Sequence, residues 1–172
     1  PLLKATDIAV TVGQKVAVAG VTIELNPGRV TAVMGSNGSG KSSLLWAIHG
    51  AGARDSGQVE TSQGDPKDIK PAARLGLVTL VPQKASDLIF LSTLAAELEE
   101  SDRISGRPSA TTAAIFASLA NRVDPNLHPR DLSAGQQLSL VLAMQLAKDA
   151  PIVLLDEPTR GLDYESKRQL AG

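Results

Sequence analysis

The chain of 172 residues contains no cysteine. That excludes a disulfide framework and any thiolate metal site, and it fits a cytosolic setting. Aromatics are scarce, with one Trp, one Tyr and two Phe. Ala, Leu, Val and Ile must therefore supply most of the core in a chain that is still 42% hydrophobic. Charge of one sign is lacking too: 17 Lys and Arg against 18 Asp and Glu leave a net charge of −1. Such a balance gives no broad attraction for nucleic acid or an anionic membrane, so no nucleic-acid partner is expected. No apolar run approaches the roughly 20 residues of a membrane-spanning helix, and no signal peptide opens the chain. The two histidines, His49 and His128, read as structural or solvated. Length alone suggests one domain, with room for a subdomain and a proper core. No internal repeat is evident.

What is present is organised around Gly35–Ser43, which reads G-S-N-G-S-G-K-S-S. Gly35, Gly40, Lys41 and Ser42 fit the phosphate-loop pattern G-x-x-x-x-G-K-[ST]. Val30–Met34 before it is apolar and β-branched and predicts a buried strand. Ser43–Ile48 after it is helix-compatible, with His49-Gly50 as its end. Glycines at 35, 38 and 40 let the backbone curl around an anion. Successive N–H groups, including those of Ser36, Asn37, Ser39 and Ser43, and the positive end of a helix would then face phosphate. Lys41 would reach the outer phosphates, and Ser42 would offer its hydroxyl to Mg²⁺. The competing reading, a glycine-rich turn before a lysine, is disfavoured by the flanking strand and helix signals.

Upstream, residues 2–25 alternate and are rich in β-formers, which predicts an antiparallel edge layer closed by Asn26-Pro27-Gly28. A short strand is expected at Gln58–Glu60, one short helix over Pro66–Arg74 and a buried strand over Leu75–Val81. From Gln83 to Arg130 the pattern turns helical. Helices are expected over Thr93–Glu100 and Ala110–Ala120, with a polar loop between them from Ser101 to Ser109. Asp131–Gln136 precedes a helical run to Lys148, along which Leu138, Val141, Leu142, Gln145 and Leu146 recur. Ile152–Leu155 predicts a third buried strand, ending in Asp156-Glu157-Pro158. A loop over Thr159–Asp163 and a helix from Tyr164 would follow.

Four signals thus stand in order: the phosphate loop, Gln83, Leu132–Gln136 and Ile152–Glu157. Together they resemble the nucleotide-binding domain of ABC-type ATPases over nearly the whole chain. Ser133-Ala134-Gly135-Gln136 is similar to that family's signature motif, Ile152–Glu157 to its Walker B strand, Gly161-Leu162-Asp163 to its D-loop and Gln83 to its Q-loop glutamine. The implied fold is α/β: a P-loop NTPase core with an antiparallel β edge layer and a small helical subdomain, truncated at its C-terminal end. Its parts would be 1–82 (β layer and P-loop core), 83–148 (Q-loop, helical subdomain and signature helix) and 149–172 (Walker B strand and D-loop).

The resemblance implies ATP and Mg²⁺ as cofactors. Asp156 would hold the metal with Ser42 and Gln83, and Glu157 would orient or deprotonate the attacking water, with Lys41 and Gln83 assisting. Ser133, Gly135, Gln136 and Asp163 would serve nucleotide across a head-to-tail dimer with a second such domain, identical, different or fused in the parent chain. Each also has a plainer reading: Ser133 as an N-cap, Asp156-Glu157 as strand-end acids, Gln83 as a surface polar residue, Trp46 as core.

Finer features resemble the energy-coupling-factor ATPases, which energise uptake of vitamins or of cobalt and nickel. These are Asp87–Phe90 followed by Thr93–Glu97, and the wording of Asp156–Tyr164. A peripheral protein at the cytoplasmic face of the membrane, docked to a transmembrane coupling protein through the Gln83–Arg130 insert, is the expectation. Two other classes stay open: a soluble non-transport ATPase, and a catalytically weak regulatory half of a heterodimeric pair. Two departures keep the latter alive. Val12 stands where the family stacks an aromatic on adenine, and Ala134 where its signature has glycine. The chain also starts at Pro1 and ends before the family's switch histidine and last core strands. It reads as an excised piece, expected to bind nucleotide without efficient hydrolysis.

Overall fold

A computed structural model describes residues 1–159 and 162. The chain forms two compact units, Pro1–Leu80 with Ala150–Asp156, and Val81–Asp149 with the segment from Glu157.

The first unit carries the expected antiparallel layer. Strands β1 (Leu3–Val12) and β2 (Lys15–Leu25) form a hairpin, and β3 (Ser56–Thr61) pairs with the other edge of β1. Along β1 the buried residues are Leu3, Ala5, Ile8 and Val10. Their parity switches at Asp7, a non-glycine residue with φ of 54°. One extra residue there moves the inward face from odd to even positions, which is what a bulge does. Gly57 makes the bulge possible: a Cβ on it would lie 2.5 Å from the Asp7 carbonyl oxygen. Helix α1 (Lys41–His49) buries Leu44, Ala47 and Ile48 against this sheet and ends at Gly50 in the left-handed conformation.

Two elements of this unit differ from the sequence expectation. Val30–Met34 is not a strand, and Val30 is 99% and Met34 90% exposed. A β-branched run becomes a strand only against a partner, and none pairs with it among the described residues. The helix expected over Pro66–Arg74 shrinks to α2 (Pro71–Arg74). Pro71 at its first position forces Lys70 into an extended conformation, so the helix cannot begin earlier.

Strand β4 (Val78–Val81) pairs with the Walker B-like strand, β5 (Ile152–Leu155), in a separate two-stranded sheet. All of β4 is buried. β5 alternates, with Ile152 and Leu154 inside and Val153 and Leu155 exposed, so the expectation of a strand buried on both faces is corrected.

The second unit is helical. Its helices are α3 (Leu94–Ser105), α4 (Thr111–Leu119) and α5 (Ala134–Leu146), with 3₁₀ turns at Ala85–Leu88 and Pro129–Asp131. Leu94, Leu98, Phe116, Leu138, Leu140 and Val141 fill its core. The loop expected from Ser101 begins only at Gly106, which stops α3 in the left-handed conformation. Ser101 and Asp102 are polar yet buried, because Asp102 Oδ1 accepts from Thr112 N at 2.8 Å and Thr112 Oγ1 at 2.6 Å. Asp102 thereby caps α4, whose own N-cap position is Ala110 with no capping side chain. Burial pushes the Asp102 carboxyl up, but these bonds and backbone N–H groups of Ala110 and Thr111 outweigh it, so it is held below the usual aspartate range. No helix among the described residues is long and apolar enough to cross a membrane.

Candidate functional site

In the first unit, the phosphate-loop segment leads into α1. Gly38 and Gly40 have φ of 76° and 91°. Gly40 is fixed by contact as well as conformation, since a Cβ there would collide with the Ala17 carbonyl oxygen on β2. Lys41 Nζ folds back and donates to the carbonyls of Gly35 at 3.0 Å and Ser36 at 2.9 Å. Ser36 O also accepts from Ser39 N at 3.2 Å, closing a turn around Asn37 and Gly38. The loop from Gly35 to Ser39 is exposed, and Ser43 lies half-buried in the first turn of α1. That turn has no capping side chain and no acidic residue. The positive end of the helix dipole there favours an anion.

The same unit brings Ser42 and Asp156 together across 114 positions of sequence, with Ser42 Oγ donating to Asp156 Oδ1 at 2.9 Å. Asp156 is only 3% exposed, at the end of β5. A hydroxyl and a buried carboxylate side by side are hard oxygen donors, a set that fits Mg²⁺ with waters completing its shell.

In the second unit, Gln83 Nε2 donates to Glu157 Oε2 at 3.2 Å. A carboxylate only accepts, so the amide's NH₂ end must face it. Glu157 has φ of 44°, a left-handed conformation uncommon for a glutamate. Ser133 caps α5 with a reciprocal box: Ser133 Oγ accepts from Gln136 N at 3.2 Å, and Ser133 N donates to Gln136 Oε1 at 2.9 Å. Ala134 and Gly135 form the helix's first turn. Gly161 and Asp163, the D-loop candidates, lie outside the described residues.

The remaining singled-out residues have structural surroundings. Trp46 packs against the sheet unit's core, its ring edge-to-face with His49 at 5.9 Å. His128 Nδ1 accepts from Arg130 N at 3.1 Å and caps a 3₁₀ turn. Val12 stands at the hairpin's end, 59% exposed, with Val16 61% exposed. Sequence reasoning missed Gln137, whose Nε2 donates to the carbonyls of Pro129, Arg130 and Leu132, each at 3.3 Å. It sits one place beyond the signature-like motif, and no local pattern marks an amide that bridges three carbonyls of the preceding turn.

Residues 18–160 match the family model described as "ABC transporter". A relative in Streptomyces coelicolor, named "Putative ABC transporter ATP-binding protein", is 41% identical over 88% of this chain and 27% of its own length. A ribose import ATP-binding protein of Rubrobacter xylanophilus is 33% identical over 99% of this chain and 36% of its own. The chain therefore spans about a third or less of these relatives. Among solved structures, a dimeric bacterial ABC transporter cassette superimposes with a TM-score of 0.79 at 25% identity, over 98% of this chain and 79% of that one. An ATP-bound Atm1-family exporter shares the fold, with a TM-score of 0.82 at 19% identity over 98% of this chain and 31% of that one.

Proposed function

This chain belongs to the ABC transporter family, as an ATP-binding domain, and on that footing we propose that it binds and hydrolyses Mg-ATP to drive an importer. The observation that carries this reading is the Ser42–Asp156 hydrogen bond beside the uncapped start of α1. The loop N–H groups from Gly35 to Ser43 would hold the β and γ phosphates. Lys41 would exchange the carbonyls of Gly35 and Ser36 for phosphate oxygens. Ser42 and Asp156 would hold Mg²⁺, which when bound neutralises phosphate charge. Glu157, oriented by Gln83, would accept a proton from the attacking water.

Ser133, Gly135, Gln136 and Asp163 would complete the site of a second cassette, so that ATP closes a dimer and hydrolysis opens it. The dimeric state of a solved cassette supports this arrangement. The expected test is sedimentation of Glu157→Gln, which slows hydrolysis: it should dimerise with Mg-ATP and stay monomeric without. A monomer at every nucleotide concentration would contradict the reading.

Within importers, we place the chain with the energy-coupling-factor kind, serving a vitamin or a metal ion. Asp87–Phe90, Thr93–Glu97 and the wording after Asp156 support this. The exposed Phe90, 79% accessible in the helical unit, would dock a transmembrane coupling protein at the cytoplasmic face. Vesicles carrying the whole transporter should accumulate a labelled B vitamin, Co²⁺ or Ni²⁺. Uptake of ribose alone would move the chain to the sugar importers, for which the ribose import relative speaks. A second reading, a catalytically weak half of a heterodimeric pair, is favoured by Ala134 and Val12. It predicts nucleotide binding with slow turnover until a partner cassette is added.

A further inference from the structure

Phe90 is 79% exposed, while Ile89 beside it is 3% exposed. Ile89 is extended, with φ of −111° and ψ of 116°, so the two side chains leave the backbone on opposite sides. A single buried carboxylate ties the bend that follows at Leu91. Glu97 Oε1 accepts from Phe90 N and from Leu91 N, both at 2.5 Å. Glu97 itself is 2% exposed.

Burying a carboxylate is unfavourable unless hydrogen bonds and local charge compensate. Here both are present: two charge-assisted bonds, and a place in the first turn of α3, where the helix dipole favours an anion. Glu97 is not needed to cap its own helix. Leu94 N donates to Leu127 O and Ala95 N to Pro125 O, each at 2.9 Å, and Ala96 N donates to Thr93 Oγ1 at 3.2 Å. The carboxylate instead reaches back to the preceding turn. An aliphatic side chain would fill the same space but leave the two amides without their acceptor.

We propose that Glu97 is a positioning residue, whose carboxylate holds the Phe90–Leu91 turn in the shape that presents Phe90 to an apolar pocket on the transmembrane partner. This rests on the docking reading given above. The aromatic is the knob, and Glu97 fixes its angle from beneath.

Backbone amide exchange in the full chain tests the clamp. Glu97→Ala and the space-filling Glu97→Leu should speed exchange at Phe90 and Leu91 about tenfold or more, with amides in α5 changing less than about twofold. Glu97→Gln keeps an acceptor oxygen and should stay within about threefold of the unmodified chain. Unchanged rates at Phe90 and Leu91 in Glu97→Leu would overturn the proposal. So would acceleration spread equally over α5, which would mark Glu97 as a general support of the unit.

A photoreactive benzoylphenylalanine at position 90 of the whole transporter separates the two readings. It should cross-link the transmembrane subunit, about fivefold less in Glu97→Ala and undiminished in Glu97→Gln. No cross-link in any background, with the exchange pattern intact, would sink the docking reading and the presenting role with it, leaving only a clamped turn. A cross-link undiminished in Glu97→Ala would overturn the positioning role alone.

Discussion

Two helix starts in this protein are built in opposite ways. α1 begins at Gly40 with no capping side chain and no acid in its first turn. α5 begins at Ser133 with a full capping box. Both begin in a motif resembling a nucleotide-contacting segment of ABC ATPases. The difference shows what each needs from a ligand. The start of α1 carries no capping side chain and its dipole favours an anion, whereas the start of α5 is capped by its own side chains. Ser133 Oγ accepts within its own helix, so what it retains for phosphate is its O–H as a donor. On the function proposed above, α1 would be the primary site, and α5 a preformed surface for a nucleotide held by a second cassette.

The largest expected effect concerns the proposed hydrolysis itself. Glu157→Gln should lower ATP turnover about 10²–10³-fold while Mg-ATP affinity stays within a few-fold, read by steady-state hydrolysis and titration. A smaller effect should come from filling the open end. Gly40→Ala forces a methyl against the Ala17 carbonyl at a φ of 91°. It should cost about 1–3 kcal/mol in chemical denaturation and weaken Mg-ATP binding with it. Opening the closed end should cost less: Ser133→Ala removes the acceptor for Gln136 N, with an expected loss of about 1 kcal/mol by denaturation.

The smallest effect concerns acid. Asp102 caps α4 and is held below the usual aspartate range. Its contribution to stability is therefore complete above the pKa of the unfolded chain and fades as pH falls through the lower, folded value. Denaturation midpoints measured between about pH 7 and about pH 2 should fall less steeply in Asp102→Asn than in the unmodified chain.

Local chemistry was legible in the sequence. The spacing of Gly35, Gly40, Lys41 and Ser42 needs no distant partner to be recognised. The alternation of β1 and β2 set their edge layer, and Gly50 marked the end of α1. What could not be read depended on residues far away in sequence. Val30–Met34 has strand composition, yet a strand is a pairing, and composition does not say whether a neighbour is there. Ser101 and Asp102 look like loop residues until Thr112 is placed on them. Glu97 falls within the helix expected over Thr93–Glu100 and nothing local marks it; only the fold puts Phe90 N and Leu91 N over its carboxylate. The exposed Val153 and Leu155 on β5 are a fourth case, since four consecutive aliphatics do not reveal which faces of a strand are covered.

The most direct test of the account is calorimetric titration of Mg-ATP into this chain and into Lys41→Ala. The open start of α1 predicts one site in the unmodified chain and a loss of affinity of about a hundredfold, some 3 kcal/mol, in the variant. Equal affinity in the two, with the variant folded, would place the nucleotide elsewhere and contradict the account.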